Sequence, residues 1–111
     1  MEMVKLYSMK DYEALENLLW DMKQPGDNDT REEALATGGL DLVLVPGLAF
    51  TKKGHRIGSG KGYYDWYIDR CLHDPNGRPY TIGLAYREQI LHSIPTEEHD
   101  FMVDEVIFPD P

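Results

Sequence analysis

Residues 40–67 read LDLVLVPGLAFTKKGHRIGSGKGYYDWY. The opening LDLVLVP is a near-continuous apolar run stopped by Pro46 and Gly47, the pattern of a strand buried on both faces of a parallel sheet. Beyond the glycine-dense middle, Tyr64, Tyr67, Ile68, Cys71 and Leu72 fall at i, i+3, i+4, i+7 and i+8, the apolar stripe of an amphipathic helix predicted over 61–72. HDPNGRP (73–79) breaks that helix, and YTIGLA (80–85) reads as a second interior strand. Strand, loop, helix, strand is a βαβ unit, which pairs its strands in parallel and gathers loops at their carboxyl ends. The expected fold class is therefore α/β with a mainly parallel sheet.

Outward from this unit the signals shorten. Residues 3–7 alternate loosely and predict a short strand, whereas Tyr12, Leu15, Leu18 and Leu19 predict a helix over 11–20. Residues 23–39, rich in Asp, Asn, Pro, Gly and Thr, read as an exposed connection and a candidate binding loop, with a helical turn at 31–36. A further helical turn at 88–91 and a last alternating strand at 102–108 complete the reading.

A chain of 111 residues makes a single small domain, 1–111, with room for one modest core. Forty-one per cent hydrophobic residues, with seven Tyr and two Trp, supply enough apolar surface to offset ordering entropy. A net charge of −9 argues against sequence-independent binding to nucleic acid, which rests on Lys and Arg displacing phosphate counterions. No apolar run reaches bilayer length and no signal-type start is present, so no membrane partner is expected. Cys71, the only cysteine, forms no internal disulfide and reads as a buried small residue rather than a reactive thiol. A reducing, cytoplasmic location is expected.

Charge is distributed unevenly. The window 46–64 holds Lys52, Lys53, Arg56 and Lys61 and no acid, leaving seven bases against all twenty acids elsewhere. A cationic loop on an acidic protein favours a small anion over an extended polyanion. Gly54, Gly58, Gly60 and Gly62 let backbone N–H groups converge on such an anion, and the following helix adds its positive amino end. Lys61 supplies a point charge, Arg56 a planar fork for phosphate oxygens, and Asp65 a carboxylate for a hydrated Mg²⁺. The familiar phosphate motifs do not match: a Walker A loop ending at Lys61 meets His55 and Gly62 at two required positions, and a dinucleotide fingerprint meets Tyr63. Read alone, Gly-X-Gly-Lys-Gly is equally a solubilising surface turn.

The longer string decides between them. Pro46-Gly47, Phe50 and then Arg56-Ile57-Gly58-Ser59-Gly60-Lys61-Gly62-Tyr63-Tyr64-Asp65 strongly resemble the 5-formyltetrahydrofolate cyclo-ligase family, also called 5,10-methenyltetrahydrofolate synthetases. The similarity extends upstream through REEALATGGLDLVLVPG and downstream through PYTIGLAYREQI and IPTEEHDFMVDEVIF. The resemblance implies a three-layer α/β fold of which this chain is the carboxyl-terminal part. It assigns Arg56, Ile57, Gly58, Ser59, Gly60, Lys61, Gly62, Tyr63 and Tyr64 to ATP. Ser59, Gly60, Lys61, Gly62 and Tyr63 would also face the folate, and Asp65 and Asp100 would be magnesium ligands. Ser59 stands where many members place a second Arg, which removes one phosphate-pairing group.

The implied reaction is conversion of 5-formyltetrahydrofolate to 5,10-methenyltetrahydrofolate, with ATP cleaved to ADP and phosphate. Lys61 and Arg56 are its catalytic residues, neutralising phosphate charge. Several of these side chains have plainer readings. Tyr64 belongs to the helical stripe and reads as core, Asp100 alone reads as a solvated acid, and His55 and His99, which could assist a proton transfer, read first as surface or hydrogen-bonded histidines. Trp20 suits either an aromatic ligand ring or a hydrophobic helix end. The resemblance spans about the second half of a typical member, so the missing amino-terminal half, or self-association through an unpaired strand edge, is an expected partner. A non-catalytic nucleotide- or folate-binding remnant is the alternative to an enzyme.

Overall fold

In the computed structural model, which describes residues 2–17, 23–26, 29–58, 62–95 and 101–109, Ser8 opens the first helix, α1 (Met9–Glu13). Its hydroxyl accepts from the Asp11 N–H at 3.1 Å, satisfying a donor the helix cannot. The helix stops after five residues and gives way to a small antiparallel pair, β1 (Glu16–Asn17) with β2 (Lys23–Gln24). This corrects the helix expected over 11–20. Met9 and Tyr12 are exposed, so no surface waits beneath an amphipathic stripe here, and short helices without one do not persist. Leu18, Leu19 and Trp20 lie outside the described residues.

The strand expected at 3–7 reduces to one bridge, Val4 opposite Glu33. Arg31 secures this end of the chain. It donates to both Asp11 oxygens at 2.6 and 2.7 Å, to the Lys5 carbonyl at 2.9 Å and to Asp29 at 3.0 Å. A 3₁₀ turn at Ala34–Ala36 falls within the predicted helical turn, its Leu35 N–H donating to the Glu33 carboxylate at 2.7 Å.

The centre is built as the sequence predicts. β3 (Leu42–Val45) leads through a hairpin of β4 (Ala49–Phe50) and β5 (Arg56–Ile57) to α2 (Tyr63–Leu72), then to β6 (Tyr80–Leu84) and finally β7 (Glu105–Ile107). The strands β3, β6 and β7 form one sheet in that order, both pairings parallel, which bears out the α/β class. The β4–β5 hairpin was not anticipated, because strands of two residues leave no periodicity to read.

Burial splits the sheet. Val43, Val45, Thr81 and Gly83 face a core in which Phe50 and Val103 pack, joined by Tyr64 from α2. Leu42 and Leu44 on the opposite face are exposed, so β3 is covered on one face rather than two. In α2 the predicted stripe holds for Tyr67, Ile68 and Cys71, all fully buried, whereas Leu72 is exposed. Burial pushes the Cys71 thiol upward, as an unreactive buried cysteine requires. Tyr67 donates to Glu33 at 3.0 Å, which ties α2 to the 3₁₀ turn. Among the described residues no helix is long and apolar enough to cross a membrane.

Candidate functional site

The site begins where β3 ends. Gly47 and Gly83 flank the Phe50 ring so closely that a Cβ on either would come within 2.8 or 2.4 Å of it, so the ring occupies space only glycines leave free. The Phe50 carbonyl accepts from Leu91 N–H at 2.7 Å, and Gln89 donates to the carbonyls of Gly47 and Leu48. The turn at 51–54 closes through Thr51 and returns the chain as β5. Gly54 sits at φ +101°, with its carbonyl accepting from Val103 N–H at 2.9 Å.

This hairpin delivers Arg56. Its Nε donates to the Pro46 carbonyl at 3.1 Å, and its Nη1 lies 3.2 Å from both oxygens of Asp65, in the first turn of α2. Both side chains are largely buried. The Phe101 ring lies 5.3 Å and the Tyr64 ring 6.0 Å from the guanidinium centre, and Phe101 N–H reaches Asp65 at 3.4 Å. The pair therefore fastens the two ends of the glycine loop to each other, a role not visible in the spacing of the two residues.

At the loop's far end Gly62 caps α2 in the left-handed region, φ +70°, and as a glycine brings no side chain to the cap. The amino end of α2 presents its first N–H groups and its positive dipole at this point. Beside it lies a cavity of 190 Å³ whose walls include Pro46, Gly47, Arg56, Gly62 and Tyr63. Tyr64 borders it too, and also borders a second cavity of 520 Å³ formed with Met3, Gln24, Pro25 and Asp29. Gln24, Pro25 and Asp29 come from the segment 23–39 read as a candidate binding loop, whereas the sequence signalled only a short strand at Met3.

Of the residues expected at the site, Arg56, Gly62, Tyr63 and Tyr64 meet at the smaller cavity, with Ile57 and Gly58 following Arg56 on the same strand end. Ser59, Gly60 and Lys61, and likewise His99 and Asp100, lie outside the described residues. Lys52 and Lys53 are exposed at the hairpin tip, with the Lys52 ammonium 5.7 Å from the Phe108 ring. Asp65 offers the hard oxygen ligand that Mg²⁺ takes, and Phe101, which touches it, directly follows Asp100 in the chain. Among the described residues no group of three His, Cys, Asp or Glu forms a cage. One or two carboxylates suffice for an ion that shares its shell with substrate phosphates and water.

Known proteins resemble this chain over nearly its whole length. A family model described as "5-formyltetrahydrofolate cyclo-ligase family" matches residues 1–109. The Mus musculus protein named 5-formyltetrahydrofolate cyclo-ligase is 52% identical over 110 residues, which is 99% of this chain and 54% of that protein. A Caenorhabditis elegans protein named probable 5-formyltetrahydrofolate cyclo-ligase is 42% identical over 97% of this chain and 53% of its own length. The NMR structure of Aquifex aeolicus 5,10-methenyltetrahydrofolate synthetase superposes with a TM-score of 0.59 at 28% identity, over 85% of this chain and 43% of that one. The chain thus spans about half the length of the relatives it matches.

Proposed function

The chain belongs to the 5-formyltetrahydrofolate cyclo-ligase family, and from that premise we propose that it carries the nucleotide-binding part of an ATP- and Mg²⁺-dependent cyclo-ligase. The reaction closes 5-formyltetrahydrofolate to 5,10-methenyltetrahydrofolate and releases ADP and phosphate. The reading is supported above all by the cavity at the amino end of α2, lined by Arg56, whose guanidinium pairs with Asp65 in the first turn of that helix.

An N-formyl group is an amide and a poor electrophile. Attack by folate N10 requires the formyl oxygen to leave, and transfer of the γ-phosphoryl group to that oxygen makes it a phosphate leaving group. N10 then bonds to the formyl carbon, the C–O bond breaks, and the N10 proton departs. Such a transfer depends on positioning and charge neutralisation rather than a side-chain nucleophile. In this proposal Lys61 and Arg56 offset phosphate charge, with the contacts of Arg56 to Pro46 and Asp65 holding its guanidinium in place. The residues from Arg56 through Ile57, Gly58, Ser59, Gly60, Lys61, Gly62 and Tyr63 to Tyr64 face the nucleotide, and Ser59 to Tyr63 also face the folate. Asp65 and Asp100 would hold Mg²⁺, which when bound supplies charge neutralisation on the phosphates. The larger cavity, sharing Tyr64 with the smaller, suits the bulkier folate. A cytoplasmic setting completes the reading.

The half-length span favours one second reading, a nucleotide- or folate-binding remnant without turnover. Purified chain mixed with 5-formyltetrahydrofolate, ATP and Mg²⁺, followed by methenyl-folate absorbance, separates the two. Product formation is expected; nucleotide binding without product assigns this chain to the second reading.

A further inference from the structure

Arg78 stands just before β6, on the far side of α2 in sequence from the glycine loop, and the segment 101–104 gathers on it. Its Nη1 lies 2.9 and 3.1 Å from the two oxygens of Asp104, and its Nη2 donates to the Met102 carbonyl at 2.7 Å. The Phe101 ring centre is 6.0 Å from its guanidinium carbon. Asp104 also accepts from the N–H of Thr81 at 2.7 Å and from its hydroxyl at 3.0 Å, and Thr81 is fully buried in β6. Burial pushes the Asp104 carboxyl upward, but the hydrogen bonds from Arg78 and Thr81 outweigh it and hold the group below its ordinary value. A charged pair therefore fastens this segment to the sheet.

The other end of the same segment belongs to the site. Phe101 N–H reaches Asp65 at 3.4 Å, and the Phe101 ring lies 5.3 Å from the Arg56 guanidinium centre. One ring is thus shared by two guanidiniums, each neutralised by its own carboxylate, Arg56 by Asp65 and Arg78 by Asp104. Residues 101–103 belong to no strand or helix, so Phe101 is placed by what grips the residues after it. Val103 is held by Gly54 of the hairpin, and Met102 and Asp104 are held by Arg78. We propose that Arg78 is a positioning residue for the nucleotide and metal site, acting through Phe101 on the Arg56–Asp65 pair. The inference rests on the reading of Asp65 as a Mg²⁺ ligand and names what sets that carboxylate's surroundings. Asp100, the second proposed ligand, is bonded directly to Phe101, so the same grip bears on it. Groups that orient a ligand from behind govern metal affinity nearly as much as the ligand itself.

The test uses Arg78→Met, which keeps the apolar stem and removes the donors, beside the milder Asp104→Asn, which removes only the charge. In isotope-labelled chain, the Phe101 amide should exchange about tenfold faster in both variants and the Arg56 Nε–H resonance should shift, while amides of the β3–β6 ladder keep their protection. In calorimetric titration with ATP, the Mg²⁺ concentration that half-supports binding should rise about tenfold, with affinity in EDTA unchanged. A role in folding alone would lower both affinities together. A Phe101 amide that exchanges as in the parent in both variants overturns the proposal. So does an equal loss of protection across the ladder, which assigns Arg78 to the fold, and so does an unchanged Mg²⁺ requirement in a chain that binds ATP. A parent chain that binds no ATP sinks the proposed function instead, and the Phe101 and Arg56 signals then decide on Arg78 by themselves.

Discussion

Arg56 and Asp65 close the glycine loop at its base, with one guanidinium nitrogen 3.2 Å from both carboxylate oxygens and little of either side chain exposed. Removing one partner leaves the other buried and unpaired. Asp65→Ala is therefore expected to cost about 3 kcal/mol in urea unfolding, and Arg56→Ala a similar amount. The double replacement Arg56→Met with Asp65→Leu should recover much of that stability while nucleotide affinity stays lost. Equal losses from single and double variants would remove the pair from the account.

Lys61→Met should lower ATP affinity by at least tenfold in calorimetric titration, with the unfolding midpoint unchanged. It is the point charge that the proposal sets against the phosphates. Unchanged binding would show that the loop does not hold the nucleotide.

Gly54 combines a φ of +101° with backbone at its α-carbon: a Cβ there would lie 2.3 Å from the Val103 carbonyl oxygen. Gly54→Ala is expected to destabilise by about 1–3 kcal/mol, through strain and loss of the contact that joins the hairpin to residue 103. Gly62→Ala, also at positive φ but with open space around it, should cost less. Thermal unfolding of the two variants side by side checks the order.

The Arg31 guanidinium hydrogen-bonded to Asp11 holds that carboxyl at about 2, below its ordinary value of 3.8. Between those values the unfolded chain binds the extra proton and the folded chain does not. The pair's contribution is thus present above about pH 4 and declines as pH falls toward 2. Asp11→Asn should flatten this part of the stability profile and leave the profile above pH 5 parallel to that of the parent, as followed by urea midpoints across the range.

The βαβ centre was legible because each of its signals is long: a seven-residue apolar run, a five-point helical stripe and a second interior strand. The helix over 11–20 failed because periodicity records a preference for burial without saying whether a surface exists to supply it. Tyr12 and Met9 find none. Leu42 and Leu44 make the same point in reverse, as apolar residues of a strand that this chain covers on one face alone. At the site, residue types announced phosphate chemistry, but Arg56 and Asp65 were read as separate ligand contacts. Their pairing depends on a hairpin of two-residue strands and on the direction in which α2 starts, neither of which leaves a pattern in sequence.

Tyr64 stands as a party wall between the 190 Å³ and 520 Å³ chambers. Occupants on its two sides would meet the same side chain, so a shift of the ring made by one would be felt by the other. Whatever factor the first imposes on the second's affinity, the second must return in equal measure. A dissociation constant obtained with one chamber vacant therefore describes a different wall from the one present when both are filled.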